Sequence, residues 1–284
     1  MVRPIAFLVG LFFAGILAYS AIRGAVVLVT EPTPKSAEKM FYKHPRQVDW
    51  SFNGPLGKFD QAQLQRGFQV YKEVCSACHA MKLVSFRDLQ NIGFTEGQVK
   101  TIASEWVTET PSINPDTGEA TTRKSVPADK IPSNYPNEVA ARAANNNAYP
   151  PDMSLIAKAR EDGSNYIYSL LTGYADEQPA ALIKQFPDSI TGDGLHYNPY
   201  FKNLNIAMGA PLVADDQVSY GEGAPKATVD QMSRDVAAFL TWAAEPKLEN
   251  RKKTGLGVFI FLLAFTWLAW MSYQNIWSEK KKKA

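Results

Sequence analysis

The sequence Cys75-Ser76-Ala77-Cys78-His79 decides what kind of domain this chain can form. Two thiols three positions apart, followed at once by a histidine, are typical of covalent haem attachment. In such sites the cysteines form thioethers with the porphyrin vinyl groups, and the imidazole reaches the iron. The chain has two cysteines, and this motif contains both of them. The motif therefore predicts one covalent haem c, held by Cys75 and Cys78, with His79 as an axial iron ligand.

A structural disulfide and a thioredoxin-like redox pair are the alternative interpretations of the two cysteines. A thioredoxin site opens a helix after a buried strand, whereas this motif closes an amphipathic helix. That helix begins with a plausible cap at Asp60 and continues with apolar residues at helical spacing, namely Leu64, Phe68, Tyr71 and Cys75. Gly67 within it would allow another helix to cross closely.

Residues 254–278 carry no charge and predict a transmembrane helix, since about 20 apolar residues span a bilayer. Aromatic residues cluster toward its end, as in a membrane-interface belt: Trp267, Trp270, Tyr273 and Trp277. Lysines follow at 280–283, which places this tail in the cytoplasm and the preceding domain outside it. A buried core helix is the alternative.

The N-terminal segment has nineteen uncharged residues between Arg3 and Arg23. It suits a secretory signal with Arg3 at its positive end, and it also suits an uncleaved anchor of roughly 28 Å. The nearest small-x-small cleavage site, Ala18-Tyr19-Ser20, is a poor match, so a retained anchor is favoured.

Residues 32–250 contain 26 acidic and 21 basic residues, a net charge of −5, although the whole chain is +2. The domain between the apolar segments thus lacks the basic face that nucleic-acid binding requires. The predicted fold class is mostly α, a cytochrome c-like helical domain with loop insertions. The predicted divisions are a signal or anchor at 1–30, a linker at 31–58, an extracytoplasmic haem domain at 59–250, and an anchor with a cytoplasmic basic tail at 251–284.

Several elements follow from local signals within the domain. Capping boxes predict helices that open at Thr95 and Thr228, and the second ends at Glu245-Pro246. Shorter helices are expected at 137–144, 154–160 and 165–172, and the polar stretch 109–134 is interpreted as a surface insertion.

Arg142 precedes a shaped loop, Asn145 to Asp152, that is rich in asparagine and proline. It is a candidate partner for a haem propionate, because guanidinium pairs with carboxylate in bidentate fashion. A surface arginine is the alternative.

Met208 lies in a short loop between Ala207 and Gly209 and is favoured as the second axial ligand of the iron. A thioether ligand raises the potential of the haem, as electron-carrying cytochromes require. Met153 remains a weaker candidate, and His196 would give a bis-histidine haem. His44, beside Pro45, is expected to be solvated.

The stretch from Glu161 to Asp230 has ten acidic residues against three lysines, a balance of −7. A solvated surface and a docking face for a basic partner are both open.

The chain resembles the cytochrome c1 family, the haem-bearing subunits of quinol–cytochrome c oxidoreductase (the bc1 complex), in its bacterial form. The resemblance covers most of the soluble domain and the C-terminal anchor. It rests on the haem motif together with residues 66–71, 142–146, 150–152, 166–174, 197–201, 207–208, 235–246 and 251–253.

This resemblance implies that Cys75 and Cys78 hold the haem, that His79 and Met208 ligate its iron, and that Arg142 lies near the propionates. It implies one-electron transfer from a Rieske iron–sulfur protein to a c-type cytochrome acceptor, with no residue catalytic in this chain alone. Cytochrome b and the lipid bilayer would surround the anchor in a dimeric complex. The haem domain would face the periplasm of a bacterial inner membrane. The extra disulfide of some bacterial members cannot form here, since only two cysteines are present.

Two other functions remain open from the sequence. One is a membrane-tethered cytochrome that passes electrons to a terminal oxidase outside any bc1 complex. The other is a membrane-anchored thiol–disulfide enzyme.

Overall fold

A computed structural model of the chain describes residues 2–31 and 36–282. About half of the chain is helical and the strands are short, which confirms the mostly α fold class. The chain divides into two compact units, one of residues 1–42 with 179–190 and one of residues 43–178 with 191–284. The haem motif, Arg142 and Met208 all belong to the second unit.

The elements follow one another along the chain as helices interrupted by short strands. The α-helices are α1 (Val2–Thr30), α2 (Ala37–Phe41), α3 (Gln61–Glu73), α4 (Glu96–Ser104), α5 (Glu138–Ala144), α6 (Gly163–Leu171), α7 (Ala180–Gln185), α8 (Val229–Ala244) and α9 (Leu248–Lys282). The strands are β1 (Met81–Ser85), β2 (Thr110–Ile113), β3 (Ala120–Arg123), β4 (Lys130–Ile131), β5 (His196–Tyr197) and β6 (Asn205–Ile206). Short 3₁₀ helices lie at Cys75–Ala77, Phe86–Ile92 and Pro187–Ser189.

Helices α3 and α8 cross in direct backbone contact at Gly67. A Cβ atom added to Gly67 would lie 2.0 Å from the backbone oxygen of Asp235 and 2.7 Å from the Cβ atom of Phe239. A glycine is therefore required at this crossing, since any side chain would force the helices apart. The predicted close approach of a second helix at Gly67 is confirmed.

A buried carboxylate lies at the same crossing. Asp235 is fully buried and accepts hydrogen bonds from Arg66, at 2.8 Å from Nε and 3.2 Å from Nη2. The side-chain amides of Gln63 and Gln231 donate to its Oδ1 atom at 3.2 and 2.8 Å. Because the carboxylate is paired and hydrogen-bonded from both helices, its burial is tolerated.

Aromatic rings fill the space around the crossing. The Phe239 ring lies 5.6 Å from that of Phe68 and 5.8 Å from that of Tyr71, and the Phe86 ring lies 5.3 Å from Trp106. Such rings bury large apolar areas and dominate the stability of a core. Tyr71, Phe86 and Phe239 are completely buried, so the helix that leads to the haem motif is anchored along its whole apolar face.

Part of the segment predicted as a linker packs on this core. Trp50 and Phe52 are buried and stack on each other with ring centroids 5.5 Å apart. The Oδ1 atom of Asn165, in α6, accepts hydrogen bonds from the Val48 backbone N–H at 3.2 Å and from Trp50 Nε1 at 2.8 Å. The chain before α3 is thus tied to α6 over this stretch.

Within the described ranges the strands form three antiparallel pairs: β1 with β4, β2 with β3, and β5 with β6. Strand β3 is exposed along its length, as expected of a surface insertion at 109–134. The predicted helix at 154–160 is wrong, because this stretch forms successive turns. Ser154 is held there by hydrogen bonds to Leu83 and Asp152, and these contacts override the local preference for helix.

Among the described residues, two helices are long and apolar enough to cross a membrane, Arg3–Thr30 and Leu248–Ser278. Their side chains are exposed in the isolated chain, which excludes a buried core helix at 254–278. Lys283 of the predicted cytoplasmic tail lies outside the described residues.

The smaller unit contains α1, α2, α7 and the 3₁₀ turn at Pro187–Ser189. The rings of Phe41 and Phe186 meet edge to face, with centroids 6.3 Å apart. Leu182, in α7, is fully buried.

The helix crossing yields a test of stability. Gly67→Ala should lower the free energy of unfolding by about 2–4 kcal/mol, because the added methyl group has no space to occupy. Gly97→Ala, in α4, is the matched control, since an added Cβ at Gly97 meets nothing within 4 Å. Thermal unfolding followed by circular dichroism measures both. Equal midpoints for the two variants would contradict the close crossing.

Candidate functional site

The two cysteines lie in the turn that follows α3. The 3₁₀ turn Cys75–Ala77 begins directly after the residue that caps the C-terminus of α3. The N–H groups of Cys78 and His79 both donate to the Cys75 carbonyl, at 3.2 and 2.9 Å. Both thiols are free, with Cys75 half-buried against the core and Cys78 exposed. The motif thus closes a helix, as the sequence predicts, which is the reverse of a thioredoxin site.

The Cys75 side chain suits a thioether better than an ionised thiol. Burial raises the pKa of the Cys75 thiol to about 12, so the group is uncharged at neutral pH in the unmodified chain. A thioether carries no proton and no charge, and it can occupy this half-buried position without a desolvation penalty.

His79 has a defined tautomer in this structure. Its Nδ1 atom lies 2.8 Å from the backbone oxygen of Pro151. Since a carbonyl oxygen only accepts, Nδ1 carries the proton and Nε2 keeps its lone pair. Burial lowers the pKa of His79, and the hydrogen bond to Pro151 offsets part of that effect. The imidazole is therefore neutral near pH 7 and oriented to donate Nε2 to a metal.

The backbone around His79 is held on two sides. The hydroxyl of Tyr71, which is fully buried in α3, donates to the His79 carbonyl at 2.9 Å. The N–H of Met153 donates to the Ala80 carbonyl at 2.8 Å. The histidine thus lies between the end of α3 and the Pro151 segment, with little freedom of rotation.

Met208 is half-buried in the loop that follows β6. The hydroxyl of Tyr174 donates to the Met208 carbonyl at 2.9 Å. Strand β6 pairs with β5, where His196 lies opposite Ile206 and Tyr197 opposite Asn205. This loop is therefore fixed by a strand pair on one side and by a tyrosine on the other, as a ligand-bearing loop must be.

The other candidate sulfur and imidazole ligands have different surroundings. Met153 is buried, and its backbone bonds to Ala80, so it belongs to the segment that approaches the Nδ1 side of His79. His196 is exposed and lies beside Gly209, where an added Cβ would be 3.4 Å from its Nε2 atom. Met81 and Met232 are fully buried in the core.

Arg142 has partners within its own loop. Its Nε and Nη2 atoms bond to Glu138 at 2.8 and 2.7 Å, and Nη1 donates to the Asn147 carbonyl at 2.9 Å. Asn146 and Asn147 have positive φ angles of 49° and 61°, which asparagine tolerates better than most residues. In this structure the guanidinium orders the asparagine loop, and a propionate would have to compete with Glu138.

The acidic stretch is only partly neutralised by its own cations. Lys226 pairs with Asp215 at 3.3 Å and with Asp216 at 3.9 Å, and Arg234 pairs with Asp230 at 2.8 Å. Other carboxylates of the stretch are exposed, including Asp176 and Glu177, which lie two and three residues after Tyr174, and Asp193. Negative charge is therefore present on the segments that flank the Met208 loop.

Sequence reasoning missed the groups that hold the candidate ligands in place. These groups are the Pro151 carbonyl, the Tyr174 hydroxyl and the Tyr71 hydroxyl. Each group either is a backbone carbonyl or donates to one, and its partner lies in a different part of the sequence. The one local signal was the pair Pro150-Pro151, which stiffens the chain where the carbonyl is needed.

The residues present fit a covalently bound haem. Two free thiols lie at the end of one helix, a neutral imidazole has an available Nε2 atom, and a half-buried thioether lies in a separately fixed loop. Cysteine, histidine and methionine are the groups that hold and ligate haem c.

Comparison with known proteins places the chain among its relatives. The model of the Cytochrome C1 family matches residues 50–280. A protein named cytochrome c1 from Rhodospirillum rubrum is 46% identical over 241 residues, which cover 82% of this chain and 87% of that protein. The mitochondrial cytochrome b-c1 complex catalytic subunit of Candida albicans is 45% identical over 239 residues, covering 84% and 77%. A Bradyrhizobium diazoefficiens protein named cytochrome b/c1 is 43% identical over 245 residues, covering 81% of this chain and 35% of that protein.

The hydrogen bond from Tyr174 predicts a spectroscopic effect. Tyr174→Phe should loosen the Met208 loop and weaken the absorbance of a sulfur–iron bond at about 700 nm in the oxidised protein. Tyr149→Phe, which removes an exposed hydroxyl near Arg142, is the control and should keep that band. A band of full intensity in Tyr174→Phe would mean that the tyrosine does not hold this loop.

Proposed function

The chain belongs to the cytochrome c1 family, and on that premise we propose that it is the haem-bearing electron-transfer subunit of a cytochrome b-c1 complex. In this role it accepts one electron at a time from a Rieske iron–sulfur protein and passes it to a c-type cytochrome. The observation that carries the proposal is the His79 imidazole, whose Nδ1–H is committed to Pro151 and whose Nε2 is left for a metal.

Haem c is the cofactor of this family, and its iron supplies a centre that changes its charge by one electron. Cys75 and Cys78 would hold the porphyrin by thioethers at the end of α3. His79 and Met208 would bind the iron, from two segments that are fixed independently of each other. Arg142 is the proposed neighbour of a propionate, and in that state it would exchange Glu138 for the propionate carboxylate.

The chain's own residues hold both proposed ligands by their backbone carbonyls. His79 is clamped by Tyr71 and Pro151, and Met208 is tied to Tyr174. A redox centre whose ligands do not move needs little rearrangement for each transfer, which favours fast exchange with partners.

The two apolar helices support the proposed membrane placement. Helix α9 spans the bilayer beside cytochrome b, with its lysine-rich end in the cytoplasm, and the haem domain faces the periplasm of a bacterial inner membrane. The N-terminal helix is proposed as a second, retained anchor. Within the dimeric complex, exposed carboxylates near the Met208 loop would guide a basic cytochrome acceptor.

The ligand assignment is tested by Met208→Leu. This variant should keep its covalent haem, because both cysteines remain, while the absorbance at about 700 nm disappears and the reduction potential falls strongly. Pyridine-haemochrome spectra and redox titration measure the two effects. Met153→Leu, which alters the competing methionine, should leave both unchanged. Loss of the band in Met153→Leu instead would assign the sulfur ligand to that residue.

Membership of the complex is tested by purification. From gently solubilised membranes, the tagged full chain should copurify with a cytochrome b and an iron–sulfur protein in constant proportion. The proposal would be contradicted if the haem-bearing chain purified alone and the quinol oxidation activity were found in fractions that lack it. That result would favour a tethered cytochrome that acts outside such a complex.

The acidic surface predicts a salt effect on the rate. Between about 0.01 and 0.15 M ionic strength the Debye length falls from about 30 to 8 Å. Electron transfer to a basic cytochrome should therefore slow severalfold over this range, as stopped-flow absorbance can measure. The double variant Asp176→Asn with Glu177→Gln should reduce this dependence of the rate on salt. A rate that does not change with ionic strength would contradict a docking role for the acidic surface.

A further inference from the structure

The acceptor of the His79 hydrogen bond is a carbonyl in an irregular segment. Pro151 is exposed and belongs to neither a helix nor a strand. A loop carbonyl stays aligned with an imidazole only if the residues beside it are fixed. The residue that follows Pro151 therefore decides how firmly the 2.8 Å contact to His79 Nδ1 is held.

Asp152 ties this segment to the chain that follows His79. Its Oδ2 atom accepts the Lys82 N–H at 2.9 Å, and its Oδ1 atom accepts the Ser154 N–H at 2.8 Å. The carboxylate thereby bridges two backbone segments with one oxygen on each. Hydrogen bonds from backbone N–H to a charged carboxylate are among the stronger ones in proteins.

Further hydrogen bonds continue the same ladder between residues 79–83 and 151–154. The Met153 N–H donates to the Ala80 carbonyl at 2.8 Å, and the Leu83 N–H donates to Ser154 Oγ at 3.0 Å. Ser154 is buried, so its hydroxyl has little access to competing water. Asp152 lies between the His79–Pro151 bond at one end and the Leu83–Ser154 bond at the other.

The charge of Asp152 acts on the same imidazole. Asp152 directly follows Pro151, whose carbonyl oxygen lies 2.8 Å from His79 Nδ1, so its carboxylate lies near the imidazole. A negative charge in this position would stabilise oxidised iron bound to the imidazole, because oxidised iron carries one more positive charge than reduced iron.

We infer that Asp152 is a positioning residue for His79, the proposed iron ligand. Asp152 fixes the orientation of the His79 ring through Pro151, and its negative charge favours the oxidised state of the iron. This inference rests on the proposed function, because it concerns the iron ligand of that site. It extends the site from the residues that touch haem to a carboxylate that acts through another residue.

The test compares Asp152→Asn with Asp88→Asn in the full chain within its complex. Asp88 is the matched control, since it is also half-buried and also accepts a backbone N–H from β1, at 2.8 Å from Ser85, but it caps the 3₁₀ helix Phe86–Ile92. The readouts are the ratio of reduced to oxidised haem at a fixed ambient potential and the largest g value of the oxidised haem, which reports the orientation of the imidazole.

Asp152→Asn should raise the reduced-to-oxidised ratio about three- to tenfold, because the oxidised state loses a nearby negative charge. It should also shift or broaden the largest g value. Asp88→Asn should leave both readouts unchanged, even if it lowers thermal stability by a similar amount. Equal behaviour of the two variants in both readouts would overturn the inference.

A second variant decides the matter if Asp152→Asn yields no haem-bearing protein. Ser154→Ala removes the next rung of the ladder and leaves the charge, so it should alter the g value while the redox ratio stays within about twofold. Unaltered g values would overturn the positioning role. If the unsubstituted chain itself lacks covalent haem, the proposed function fails; if it has normal haem and only these variants are silent, the inference alone fails.

Discussion

The backbone contact between α3 and α8 at Gly67 is the constraint on which the rest of this domain depends. It brings Asp235 within reach of Arg66 and Gln63, so a carboxylate that would be unfavourable in an apolar core is fully paired. It also sets the spacing at which Phe239 meets Phe68 and Tyr71. If the helices were separated by one methyl group, these polar and aromatic contacts would be lost together.

The consequence for function lies at the C-terminal end of α3. Because the apolar face of that helix is locked against α8, the turn that carries Cys75, Cys78 and His79 starts from a fixed point. Tyr71 belongs both to the core and to the site, since its ring packs on Phe239 and its hydroxyl holds the His79 carbonyl. The geometry of the proposed iron ligand is thus coupled directly to the packing of the core.

The N-terminal end of α9 is bonded to the same domain. Lys252 donates from Nζ to the carbonyls of Phe52 and Gly54, both at 2.6 Å, and Glu249 accepts the Phe59 N–H at 3.0 Å. These contacts link the apolar helix to the segment that carries Trp50 and Phe52 into the core. These contacts attach the domain to the first turns of the helix that is proposed to cross the membrane.

Local patterns in the sequence determined the haem motif, the caps of α4 and α8, the amphipathic α3 and the apolar helices, because each depends on residues within a few positions of one another. Only the tertiary structure decided that Pro151 faces His79, that Tyr174 holds Met208 and that residues 154–160 form turns. Most of these contacts use backbone carbonyls or hydroxyls brought together across many residues. Every residue but proline offers the same backbone donor and acceptor, so the pairing of these groups cannot be predicted from the residue types and is known only from the folded chain.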